Sequence, residues 1–154
     1  MLASVRSGAV VGLDAVAVNV EVDSTNGLPS ITVVGLPDAA VKESKDRVFA
    51  AVRNAGFYFP MNRVTINLSP ADIRKEGPAY DLPIAVGALI ASGQLRPETV
   101  VGAILVGELQ LDGTVRHVRG TIAIAVLARR EGVERLFVPA QDAPEAALIP
   151  DLQV

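Results

Sequence analysis

Apolar and polar positions along the chain follow two periods. Residues 16 to 22, VAVNVEV, alternate strictly: Val16, Val18, Val20 and Val22 point one way, Ala17, Asn19 and Glu21 the other. Successive strand side chains face opposite sides, so this is a half-buried strand. Asn26-Gly27 signals a turn, ITVV at 31–34 is the return strand, and VTINL at 64–68 alternates again. A sheet with one wet face carries its helices on the other, which predicts two layers.

The helical period comes next. A first helix is predicted after Pro37, with Asp38 as N-cap and Gly56 as C-terminal stop. Val41, Val48, Val52 and Ala55 share one face, and Lys42–Asp46 and Glu43–Arg47 form i,i+4 pairs on the wetter side. The stretch KEGPAYDLPIAVGALIASG (75–93) predicts a second helix from about Asp81 to Ser92. Asp81 caps it, Pro83 sits in its first turn, and LPIAVGALIA is apolar nearly all round, as a central helix would be.

VGAILVGEL (101–109), the turn Asp112-Gly113 and TVRHV (114–118) read as a hairpin. A third helix runs from about Thr121 to Glu131, closed by Gly132, with Arg129 and Arg130 well placed against its carboxyl end. RLFVP (135–139) is a final strand, and residues 142–149 add a short helix. Nothing divides the chain, so residues 1–154 are read as one domain; the absence of a clear terminal element suggests a piece of something longer.

Composition narrows the function. The net charge of -3 argues against a protein that grips nucleic acid with its whole surface, so any such contact is local. The chain has no cysteine, which removes disulfides, zinc–thiolate sites and Cys nucleophiles and fits a reducing cytoplasm. The longest apolar run, Leu82 to Gly93, falls short of the roughly 18 residues of a membrane helix. MLASVRSGAVVGLD lacks the pattern of a signal peptide.

Candidate chemistry is sparse. Gly77-Pro78 before a helix is how some hydrolases present a nucleophile, but the next residue is Ala79, a methyl group. No serine lies in GxSxG or SxxK, and no lysine follows Lys75. His117, the one histidine, is either a base or an ordinary strand-surface residue. Neither GxxxxGK[ST] nor GxGxxG occurs, so this chain alone should not bind ATP in the P-loop manner, and its scattered carboxylates make no metal site. Arg74, Lys75, Arg116, His117 and Arg119 form one basic patch if their two segments are neighbours, suited to phosphate or an acidic partner; otherwise they are a solvated rim. Tyr80 beside them either stacks on a base or packs at the core edge.

Three long segments carry a resemblance: NGLPSITVVGLPDAAVKESKDRVFAAVRNAGF, RVTINLSPADIRKEGPAYDLPIAVG and VGELQLDGTVRHVRG. They are similar to the N-terminal domain of the YifB/ComM family, magnesium-chelatase-like AAA+ ATPases linked to competence and DNA recombination. The resemblance implies a fold like the Lon proteolytic domain and the second domain of a small-subunit ribosomal protein: α+β, a two-layer mixed sheet with helices on one face and a left-handed βαβ crossover. The right-handed default would not have suggested that hand. Lon-type proteases carry Ser after Gly-Pro and Lys after the glycine pair that opens the later helix. Those positions fall here on Ala79 and Ile122, both inert.

The resemblance further implies a downstream AAA+ module with ATP and magnesium, sister subunits in a ring, a hexamer, and action on single-stranded or branched DNA. This domain, with no cofactor of its own, would be a non-catalytic accessory. Two alternatives stand beside it: a divergent serine peptidase using Ser69 or Ser92 with His117, and a pure oligomerisation module.

Overall fold

The computed structural model describes residues 1–154. Eight strands occur: β1 (Leu2–Val11), β2 (Asp14–Thr25), β3 (Ser30–Val34), β4 (Arg63–Ser69), β5 (Ala103–Leu105), β6 (Glu108–Leu109), β7 (Val115–Arg116) and β8 (Arg135–Phe137). The helices are α1 (Ala39–Lys42), α2 (Ser44–Asn54), α3 (Asp81–Ala91), α4 (Thr121–Arg130) and α5 (Ala143–Ala146). Six strands form one mixed sheet in the order β3-β4-β2-β1-β5-β8, while β6 and β7 make a separate ribbon. β2 is antiparallel to β1 and β4; the β3–β4, β1–β5 and β5–β8 pairs are parallel.

The alternation in VAVNVEV sets the faces. Val18, Val20 and Val22 are buried with Val5 of β1, Ile66 and Leu68 of β4, and the apolar sides of α2 and α3. The reverse face is polar over β1, β2 and β4: Ser4 Oγ donates to Asn19 Oδ1 (2.6 Å) and Asn67 Nδ2 to Glu21 Oε1 (2.9 Å). The α+β class and the mixed sheet are as expected.

The layering is richer than one covered face. A Cβ at Gly87 in α3 would strike Val22 Cγ2 at 2.7 Å, whereas a Cβ at Gly8 in β1 would strike Ile124 Cδ1 of α4 at 2.8 Å. Val5 and Gly8 differ in parity along β1, so α3 and α4 lie on opposite faces. α4 and α5 cover one end of the reverse face with a second core that contains Ala15, Ile104, Leu127 and Leu136. The crossovers β3–α2–β4 and β5–α4–β8 step the same way across the sheet with helices on opposite faces. They therefore have opposite hands, and one of them is left-handed.

Several predicted boundaries change. The first helix breaks at Glu43, and the break leaves the Ala40 carbonyl to accept from Arg47 Nη2 (2.8 Å). On its buried face Ala51 replaces Ala55, which is exposed. Residues 101–109 are not one hairpin strand: β5 stays in the main sheet, and the chain leaves it where Gly107 N donates to Ala79 O (2.9 Å). β1 has no counterpart among the predicted elements.

Candidate functional site

The Gly-Pro turn is built by local rules and then tied down. Gly77 takes φ 81°, a region that suits glycine, and Pro78–Tyr80 form a 3₁₀ turn that runs directly into α3. Asp38 caps α1 as predicted, its Oδ1 accepting from Val41 N (2.8 Å); its Oδ2 accepts from Gly77 N (3.1 Å). One carboxylate therefore fixes both a helix start and the turn.

Asp81 is not the predicted cap. The continuous 3₁₀-to-α path puts Tyr80 at the cap position in αR geometry, with no side-chain cap. Asp81 is fully buried, and its carboxylate receives Arg47 Nε (2.7 Å), Arg47 Nη2 (3.1 Å) and Leu109 N (3.1 Å). Hydrogen bonding to Asp81 raises the Arg47 pKa further above its ordinary range. The predicted Arg47–Glu43 pair exists at 3.5 Å as a minor contact.

A cleft of about 940 Å³ opens between the carboxyl end of β1, the turn at 77–80 and residues 116–119. Ala79 lines it. Ile122 is half-buried, and Ile124 supplies the α4 side chain on the wall. No serine or threonine lines the cleft. Ser69 sits at the end of β4 opposite Asn19, and the Ser92 hydroxyl donates to the Ala88 carbonyl (2.9 Å). Neither lines the cleft with His117.

His117 lies just past β7 on the cleft wall, its Nδ1 paired with Asp142 Oδ1. Asp142 is nearly buried and accepts from Val118 N through Oδ2 (3.0 Å). The sequence showed Asp142 only as the first residue of a short helix; it sits there at the end of a 3₁₀ turn, before α5.

The basic patch is smaller than predicted. Arg74, Arg116, His117 and Arg119 do meet at the cleft. Lys75 does not join them. It is fully buried, and its Nζ donates to the carbonyls of Gly35 (2.7 Å) and Pro70. Tyr80 is 1% exposed and cannot stack on a base; burial pushes its phenol above its ordinary value. Arg74 pairs weakly with Glu76 (3.6 Å), whereas Arg116 and Arg119 make no ion pair, although Glu108 stands opposite Arg116 in the ribbon. No three His, Asp or Glu side chains gather as a metal site.

The profile of subunit ChlI of Mg-chelatase matches residues 20–142. The chain belongs to the magnesium-chelatase ChlI family. It is 47% identical over 96% of its length to an uncharacterised protein YifB of Salmonella typhimurium, and 46% identical over 97% to the competence protein ComM of Haemophilus influenzae. It spans 29% of the length of each. A Lon protease of Mycolicibacterium smegmatis is 24% identical over 92% of the chain, which spans 19% of that protein. The Lon similarity and the mixed sheet agree with the expected α+β fold.

Proposed function

We propose that residues 1–154 form a non-catalytic Lon-like accessory domain of a magnesium-chelatase-like AAA+ ATPase. One observation carries the reading: Ala79 is the side chain the Gly-Pro turn delivers to the cleft, and no serine or threonine lines the cleft with His117. A Ser–Lys or Ser–His mechanism needs nucleophile and base within hydrogen-bond reach. The divergent peptidase with Ser69 or Ser92 thereby loses its support.

In this reading the downstream module of the longer protein holds ATP and magnesium, since this chain has no P-loop. Subunits assemble in a ring, a hexamer, which acts in the cytoplasm on single-stranded or branched DNA during recombination and natural transformation. The name of the competence protein relative supports the last point. No helix here is long and apolar enough to cross a membrane.

The test uses the purified chain, a panel of fluorogenic peptides, a serine-reactive phosphonate and ATP. Neither cleavage, labelling nor ATP hydrolysis is expected. Peptide cleavage that co-purifies with the folded chain and is lost in His117→Ala would overturn the proposal.

A further inference from the structure

The carboxyl half of β1 has one edge without a strand. β1 pairs with β2 along its whole length, Leu2↔Asp23 to Val11↔Asp14, but with β5 only at Arg6↔Ile104. Past Leu105 the neighbouring chain turns away: Val106 N donates to Phe137 O (3.0 Å) and Gly107 N to Ala79 O (2.9 Å). Residues Ala9–Val11 thus have no partner on the side away from β2, and that side is the cleft.

Ladder parity says which groups are free. The two-residue loop Gly12-Leu13 makes Val11↔Asp14 a hydrogen-bonded pair. Alternation then turns the N–H and C=O of Val10 away from β2, into the cleft. The same parity sends the groups of Arg6 toward β5, where its pairing is found. Val10 and Val11 are exposed. An open strand edge inside a cleft offers main-chain donors and acceptors to an extended segment.

The wall across the cleft selects the ligand. Arg116 and Arg119 are exposed cations without ion-pair partners, and Arg74 and His117 stand beside them. A nucleic-acid strand would need stacking surfaces, and the cleft has no Phe or Trp: Tyr80 is buried and the His117 ring is tied to Asp142. A continuous phosphate backbone would also pass Asp38, Glu76 and Glu108 on the same walls. A peptide with spaced carboxylates meets the arginines and avoids those acids.

We propose that the cleft is a peptide-docking site: an extended acidic peptide segment adds as a strand to the free edge of β1 at Val10, with its carboxylates on Arg116 and Arg119. This goes beyond the accessory role above and stands or falls separately from it.

The probe is a fluorescein-labelled peptide of roughly ten residues alternating valine and glutamate, long enough to span the edge as a strand. Its anisotropy is followed with the purified chain. Saturable binding is expected, weakened about tenfold when alternate peptide nitrogens are methylated, because that removes edge hydrogen bonds without touching the protein. Arg116→Glu/Arg119→Glu should weaken it by about tenfold as well, with an unchanged thermal transition. Val10→Pro, which deletes a cleft-facing N–H and leaves the β2 ladder intact, should weaken it several-fold.

Absence of binding, or binding indifferent to N-methylation, overturns the proposal. So does displacement of the peptide by oligothymidylate at equal concentration, which would make the cleft a nucleic-acid site. Cleavage of the probe would instead overturn the non-catalytic reading, and absence of binding leaves that reading intact.

Discussion

Asp81 and Arg47 show how much a single carboxylate can organise. The pair joins α2 to α3, and the third bond, from Leu109 N, draws in β6. Asp81→Ala strands a partly buried guanidinium and a buried N–H, a class of change that costs about 3–5 kcal/mol. Urea unfolding should show that loss, with partial recovery in Arg47→Met/Asp81→Leu. Thr121 behaves oppositely. Its hydroxyl is buried with no hydrogen-bond partner, so Thr121→Val keeps the shape and removes a desolvated group. Its melting temperature should match or exceed the parent's.

Lys75 gives a pH signature. Burial lowers its pKa below the ordinary 10.5, with Asp72 opposing. Between the lowered value and 10.5 the folded chain binds fewer protons than the unfolded chain, so stability grows as pH rises through that window. The unfolding free energy of the parent relative to Lys75→Met should climb as pH rises toward 10.5; a flat difference excludes the linkage. Charge was legible at Arg74, Lys75, Arg116 and Arg119, but its direction was not. Along 74–76 the side chains go out, in and out, and nothing in adjacent residue types says that Lys75 is the one turned inward.

Elements were legible wherever burial and period agree. VAVNVEV and VTINL announce themselves by Val, Ile or Leu at each buried position, and the three longer helices by a helical run of apolar residues between clear start and stop signals. β1 hides because its buried side is Ala3, Val5, Ser7 and Ala9, while Leu2, Val10 and Val11 are exposed. The small side faces the first core, and Ser7 resolves its polarity by donating to Leu105 O (2.8 Å). Gly87 was equally silent in sequence. Inside α3 it costs about 1 kcal/mol against alanine, so its presence demands a packing reason. The reason is β2: a methyl there would meet Val22 Cγ2 at 2.7 Å. Gly87→Ala is therefore expected to destabilise by about 1–3 kcal/mol despite its better helix propensity. Chemical denaturation decides the sign, and a more stable variant would show that α3 can lift off the sheet at no cost.

At the scale of the molecule, the sheet is shared between two cores, one on each face, and its outer edge at β8 decides whether the second core stays closed. That edge is covered by the chain itself: Leu136 N donates to Gln153 O (2.8 Å) and Gln153 N to Glu134 O (3.0 Å). Leu152 packs beside Leu136 against the second core. β8 is three residues long and parallel to β5, so it has few main-chain bonds of its own to lose. Removing residues 150–154 would take away both the covering bonds and the Leu152 contact, leaving an uncovered edge of the kind that pairs with other chains. The truncated chain should melt earlier, and it should self-associate in sedimentation velocity as concentration rises, while the first core around Val20 and Ile84 keeps its hydrogen-exchange protection. Loss of protection in both cores together would mean that the sheet couples them into one cooperative unit, and that the β8 edge is a keystone for the whole domain.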